Sequence, residues 1–228
     1  MDIKAVLQQQ YGLSESAVAL LETYVGLVEA APLNLTAWRG HELWTRGVWD
    51  SLEILPVLGT TSGQGLDIGS GAGFPGLVLA VVRPDWAWTL LEARGRRAAF
   101  LEGTIRALGV SHVAVVAARA EEWIREVPDQ RERFDVVTLR AVGGARMSLE
   151  LGLPFVKVGG KLVLVKSFEG RQEVEAERAW MEELGGHLVE WRGGPLRDER
   201  GRPDQIGVVA KVQRTPLAYP RRAAKLGR

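Results

Sequence analysis

The chain has 228 residues, 46% of them hydrophobic and 25% charged, which allows one substantial core and argues against disorder or two large domains. Its 29 Lys and Arg nearly balance 28 Asp and Glu, so any affinity for nucleic acid must come from a local patch rather than from net charge. With no cysteine, disulfides, zinc-thiolate centres and a thiol nucleophile are excluded, and His41, His112 and His187 are too scattered to suggest a metal site, so no metal is expected.

The opening MDIKAVLQQQYGL lacks the apolar core of a secretion signal, and no stretch reaches 18 consecutive apolar residues. A cytoplasmic protein with no membrane partner is the expectation. Residues 14–31 carry Val18, Leu21, Val25 and Val28 on one helical face, with Ser14 or Ser16 as N-cap and Pro32 as the stop. A second amphipathic segment spans about 41–58, with Leu43, Trp44, Val48, Leu52 and Leu55 on one side. A loop follows at 60–65.

From there short apolar runs alternate with helical stretches. Strands are expected at Leu66–Ile68, Trp86–Leu91, Val113–Ala117, Phe134–Leu139 and Lys161–Val165. Helices are expected near 75–82, 95–108, 119–126, 145–155 and 170–184. This alternation predicts βαβ units and a doubly wound, mostly parallel sheet covered on both faces. Residues 186–192 and 205–213, joined by the polar loop Gly193–Asp204, predict an antiparallel C-terminal hairpin. Residues 1–60 are expected to form a helical cap within the same domain as 61–228, which ends in a basic tail.

The most informative segment is Asp67-Ile68-Gly69-Ser70-Gly71-Ala72-Gly73-Phe74-Pro75-Gly76, placed between the first strand and the first crossover helix. Glycines permit the sharp turn, and the helix N-terminus presents unpaired N–H groups. Gly71-x-Gly73-x-x-Gly76 fits a dinucleotide fingerprint, with Glu92 placed for a ribose. Asp67-x-Gly69-x-Gly71-x-Gly73 fits the Rossmann-like class I methyltransferases that use S-adenosylmethionine. The acid favours the second: Asp67 can receive a cationic α-amino group, directly or through water, but would repel a pyrophosphate. A G-x-S-x-G hydrolase elbow is absent.

By elimination, the acceptor atom should already be nucleophilic, and guanine N7 is one that qualifies. An Asn/Asp-Pro-Pro-Tyr/Phe segment, used on exocyclic amines, is replaced after the fourth strand by Thr138-Leu139-Arg140-Ala141-Val142, and methylation at pyrimidine C5 needs a cysteine. Guanine N7 has an in-plane lone pair and needs no general base, so positioning would suffice. Arg140 and Lys166 close the fourth and fifth strands at the ligand-binding edge. Either can bind a phosphate or guanine O6, and neither should donate to N7 itself.

These residues resemble the bacterial 16S ribosomal RNA guanine-N7 methyltransferases, also called the glucose-inhibited division protein B family. The resemblance covers about residues 20–224. Beyond the glycine turn it includes Asn34-Leu35-Thr36, Arg46 with Asp50-Ser51, Arg83-Pro84, Leu91-Glu92, Phe100-Leu101 and Arg119-Ala120-Glu121. It continues through Phe134-Asp135, Arg140-Ala141, Lys166, Thr215-Pro216 and Tyr219-Pro220-Arg221-Arg222. It implies N7 methylation of one guanine in 16S ribosomal RNA, in free RNA or a small-subunit precursor; a monomer is expected.

Carried over by position, Gly69, Phe74, Ala120, Glu121 and Arg140 would touch S-adenosylmethionine, joining Asp67, Gly71, Gly73 and Glu92 from the motif. Arg46, Asp50, Ser51 and Lys166 would face the substrate. Two positions depart from the family's usual residues: Gly47 stands where histidine is usual, and Ser167 where glycine is. A glycine costs a helix about 1 kcal/mol relative to alanine, so the second helix is expected to break near Gly47. The basic run from Lys211 to the end is a candidate RNA contact. A small-molecule methyltransferase, an NAD(P)-dependent oxidoreductase and a non-catalytic RNA-binding module are the alternative readings.

Overall fold

The computed structural model describes residues 3–197, 203–222 and 225–226. Within them lie strands β1 (Gln64–Ile68), β2 (Ala87–Leu91), β3 (Val113–Val116), β4 (Phe134–Arg140), β5 (Val156–Lys166), β6 (Gly186–Arg197) and β7 (Pro203–Lys211). They form one sheet in the order β3-β2-β1-β4-β5-β7-β6. The first five pair in parallel, and β7 runs antiparallel to both β5 and β6. This is the expected doubly wound sheet with an antiparallel C-terminal hairpin. The middle of the expected hairpin loop, 198–202, lies outside the described residues.

Strand periodicity divides the core in two. Leu66, Ile68, Val137, Leu139, Leu162 and Leu164 face helices α7 (Ala120–Glu126), α8 (Ala145–Gly152), α9 (Phe168–Ala176) and α10 (Arg178–Glu183). Trp88, Leu90, Val136, Val163 and Val208 face the other way, toward α5 (Gly76–Val82) and α6 (Gly95–Leu108). Each such fully buried side chain stabilises by about 1.5–3 kcal/mol over an exposed one, so the alternation itself holds the register.

The N-terminal segment packs on the second face. Helix α2 (Glu15–Ala30) starts at Ser14, whose Oγ accepts from Ala17 N at 3.2 Å, and buries Leu21, Tyr24, Val25 and Val28. A further helix, α1 (Ile3–Tyr11), is not expected from the sequence; Leu7 is its one buried side chain, which leaves little periodic signal. The 41–58 segment is not one α-helix. It runs as a π-helical turn at Leu43–Trp49, then α3 (Asp50–Leu52), then α4 (Leu55–Leu58) with Pro56 in its first turn. The expected helix over 170–184 divides into α9 and α10 at Glu177. Strand β5 starts at Val156 rather than Lys161; the exposed stretch Lys157–Gly159 and a register break with β4 near Phe134 hide its first half from the sequence pattern.

The basic end of the chain is partly internal. Lys211 is 1% exposed, with Nζ donating to Leu153 O at 2.7 Å and to Thr215 Oγ1. Arg221 grips the fully buried Glu150 of α8 with Nε and Nη2 at 2.8 and 2.6 Å, and Arg131 donates to the carbonyls of Pro216 and Tyr219. Two of the six cations in that run therefore anchor the fold rather than face a partner.

Candidate active site

The chain leaves β1 at Ile68 and turns through Gly69, Gly71 and Gly73, with φ of 72°, 59° and 110°. Gly69 also needs its missing side chain: a Cβ there would fall 2.7 Å from Val142 Cγ2. The turn is hooked to the sheet by Gly69 N and Ser70 N, which donate to Leu91 O at 2.8 and 3.2 Å.

Asp67 lies beneath the turn. It is 1% exposed; Oδ1 accepts from Thr138 Oγ1 at 2.7 Å and Oδ2 from Gly76 N at 3.3 Å, the first residue of α5. Burial pushes its pKa up to about 6, although the Thr138, Ser70 and Gly76 donors oppose the rise. The carboxylate thus reaches the cleft through the backbone of the turn rather than by lining it.

Three hollows adjoin along the C-terminal edge of the strands. The first, about 170 Å³, lies between Gly69, Glu92, Ala120, Glu121, Val142 and Met147. Glu92 is buried there, with Oε2 accepting from Gly71 N and Oε1 from Arg94 N, both at 2.8 Å. A carboxylate has acceptor capacity beyond two bonds. An apolar slot with such an acid at its edge fits an adenosine group, the purine between aliphatic side chains and the ribose hydroxyls on Glu92. Glu121 is buried beside it and paired with Arg119 at 2.7 Å.

The second hollow, about 240 Å³, shares Gly69 with the first and is walled by Thr36, Trp38, Phe74, Arg97 and Arg140. Among the described residues its lining holds no carboxylate or imidazole. The third, about 500 Å³, shares Trp38 and Arg140 with the second and adds Gly143, Lys166, Ser167 and Glu173. Arg140 stands at the divide. Its Nη1 donates to Arg46 O at 2.7 Å, its Nη2 to Asp50 Oδ2 at 3.0 Å, and its Cζ lies 4.6 Å from the Trp38 ring centroid.

The four residues expected on the substrate side are placed differently from one another. Lys166 lines the wide hollow, with Nζ donating to Gly143 O and Ser148 Oγ at 3.0 and 2.7 Å; burial lowers its pKa against the pull of Glu173. Asp50 is buried and meets the cleft through Arg140. Ser51 is fully buried and donates to Gly47 O at 2.5 Å. The Arg46 guanidinium turns to Glu42 at 3.4 Å, and only its carbonyl reaches Arg140.

The two departures have local reasons. Gly47 sits in the π-helical turn flush against Phe74, where a Cβ would fall 2.7 Å from ring carbons Cε1 and Cζ. Ser167 N-caps α9, its Oγ accepting from Gly170 N at 3.2 Å. Trp38, Arg97 and Glu173 are not singled out by the sequence. Trp38 and Glu173 lie outside every motif, and Arg97 gives no more signal than basic residues following Glu92.

Sheet order, glycine turn and the acid closing β2 together define a class I S-adenosylmethionine-dependent methyltransferase. A solved structure supports the fold: M. jannaschii TYW2 in complex with AdoMet superposes with a TM-score of 0.56 at 16% identity, over 75% of this chain and 78% of that one. A family model described as rRNA small subunit methyltransferase G matches residues 18–192. The ribosomal RNA small subunit methyltransferase G of Moorella thermoacetica is 35% identical over 215 residues, covering 92% of this chain and 88% of its own length. That of Roseiflexus castenholzii is 40% identical over 195 residues, covering 83% and 80%. The chain belongs to the rRNA small subunit methyltransferase G family, and the oxidoreductase reading is set aside.

Among the described residues no group of three or more His, Asp or Glu side chains is placed to hold a metal ion. No helix there is long and apolar enough to cross a membrane.

Proposed function

We propose that this protein methylates N7 of one guanine in 16S ribosomal RNA. The observation that carries this reading is the order of the three hollows. A small, largely apolar slot edged by Glu92 leads to a middle hollow whose described lining holds no carboxylate or imidazole, and Arg140 and Trp38 separate that from a wider hollow bearing Lys166.

Glu92 holds the ribose hydroxyls, and the Ala120–Glu121 segment flanks the adenine. Gly69, Gly71, Gly73 and Phe74 shape the methionine end, Asp67 fixes the turn from below, and Arg140 closes it. Bound there, S-adenosylmethionine supplies an electrophilic methyl group on sulfonium. The acceptor nitrogen offers its own lone pair, so no side chain must remove a proton, and the protein acts by orientation and water exclusion. Lys166 suits guanine O6 or a phosphate. Asp50, Ser51 and Arg46 act behind the cleft, by holding Arg140 and the π-helical turn. The cap at 1–60 and the region 61–228 work as one domain, monomeric and in the cytoplasm, on free RNA or an assembling small subunit.

The test is transfer of labelled methyl from S-adenosylmethionine to unmodified 16S RNA and to small subunits, with the labelled base mapped. Label at guanine N7 is expected. Label on another atom, or on metabolites with RNA inert, overturns the reading. Gly71→Asp, which puts a charged side chain into the turn, should abolish S-adenosylmethionine binding; retained affinity would displace the cofactor from this cleft.

A further inference from the structure

We propose that Trp38 is a substrate-binding residue, the aromatic surface against which the target guanine is held in the wide hollow. The inference rests on the guanine-N7 reading and adds a residue to it.

Trp38 lies in the irregular segment between α2 and the π-helical turn, where no periodicity draws attention to it. Its indole is half-buried and borders both the middle and the wide hollows. The other aromatic wall of the middle hollow, Phe74, is 5% exposed and engaged with Tyr24 and Trp38 at centroid distances of 5.2 and 5.9 Å. Packing against Phe74 and Arg140 accounts for part of the indole, and the residue also borders the wide hollow that carries Lys166.

The indole is held in place before any ligand arrives. Trp38 N donates to Thr36 Oγ1 at 3.2 Å, Trp38 O accepts from Arg39 Nη1 at 2.7 Å, and the Arg140 guanidinium sits on the ring. Arg140 is itself tied to Asp50 and to Arg46 O. A fixed aromatic loses little entropy when a base packs against it.

The charges of the hollow favour a base over a phosphate. Lys166 and Glu173 both border it, and a carboxylate repels a phosphate. Guanine offers an acceptor at O6 for the ammonium and donors at N1 and N2 for the carboxylate. Proteins that read unpaired RNA bases commonly stack them on aromatic rings or guanidinium planes, and Trp38 with Arg140 supplies both.

The experiment compares Trp38→Ala, Trp38→Phe and Trp38→Leu with the unchanged protein on small-subunit RNA. Trp38→Ala should lower kcat/KM for RNA by about tenfold, the scale of one base–aromatic stack. S-adenosylmethionine affinity, measured by calorimetry without RNA, should fall by much less than kcat/KM for RNA, because the indole also borders the middle hollow. Trp38→Phe should recover most of the loss and Trp38→Leu should not, and that pair decides the matter even if the alanine variant unfolds. In RNA carrying 2-aminopurine at the target position, fluorescence should be quenched by the unchanged protein and brighten with Trp38→Leu. Full kcat/KM in Trp38→Leu, or equal fluorescence, overturns the proposal. So does a parallel fall in cofactor affinity. Failure of the parent reading looks different: the unchanged protein would then place no methyl on guanine N7.

Discussion

Two basic segments of this chain have opposite fates. Arg94-Gly95-Arg96-Arg97 opens α6 beside the cleft; Arg94 and Arg96 are exposed, and Arg97 borders the middle hollow while donating to Asn34 O at 3.2 Å. In the Lys211–Arg222 run, Lys211 and Arg221 turn inward. The difference is made by acids far away in sequence. Glu150, 71 residues before Arg221, and Glu132 offer buried or half-buried partners to the second segment. Beside the first, Glu92 accepts from the Arg94 backbone at 2.8 Å. A run of like charge marks a surface only where no acid waits inside.

The largest effect should come from breaking the inward pair. Arg221→Ala leaves Glu150 buried without its bidentate partner and should cost about 3–5 kcal/mol in urea unfolding. Adding Glu150→Leu should restore much of that; no restoration would mean the pair does not hold the segment.

Asp67 sharpens the contrast from the other side, since the donors around this buried acid are neutral. Its pKa is raised to about 6, so its contribution to stability is complete below about pH 4 and is lost as pH rises through 6. The difference in unfolding free energy between the unchanged protein and Asp67→Asn should fall by on the order of 3 kcal/mol between pH 4 and pH 7.5. A flat difference would show that the acid is already compensated.

Lys211→Met should cost about 1–3 kcal/mol, because it leaves the Leu153 carbonyl and Thr215 short of a buried donor. The smallest effect on stability belongs to the outward segment. Arg94→Ala with Arg96→Ala should change unfolding by less than about 0.5 kcal/mol. The same change should weaken RNA binding and flatten its salt dependence, by about 0.7–0.9 in slope for each phosphate no longer neutralised. An unchanged salt slope would erase the distinction between the two segments.

The strand–helix alternation and the glycine turn are legible because they are local. Period-two runs, a proline opening α5 and an acid closing β2 lie within short windows, and α6 falls on Gly95–Leu108 as its pattern predicts. What the sequence hides is assembled from distant pieces. Helix α1 buries a single leucine, and the first half of β5 is largely exposed around a register shift. Arg140 is legible as a strand-end cation, but its partners come from the π-helical turn and the residue that follows it. Trp38 gains its meaning only from the hollows on either side of it, and no spacing in the sequence describes a hollow.

The contact between Gly47 and the Phe74 ring makes the sequence boundary near residue 60 a poor place to cut. Phe74 belongs to the glycine turn, and Gly47 to the N-terminal segment packed against it. Arg140 adds a second tie across the same seam, to Arg46 and Asp50. A chimera that transplanted residues 61–228 beneath another protein's cap would inherit the strand order and lose one wall of the cleft. The unit that can be exchanged between relatives is the cap together with the turn it touches.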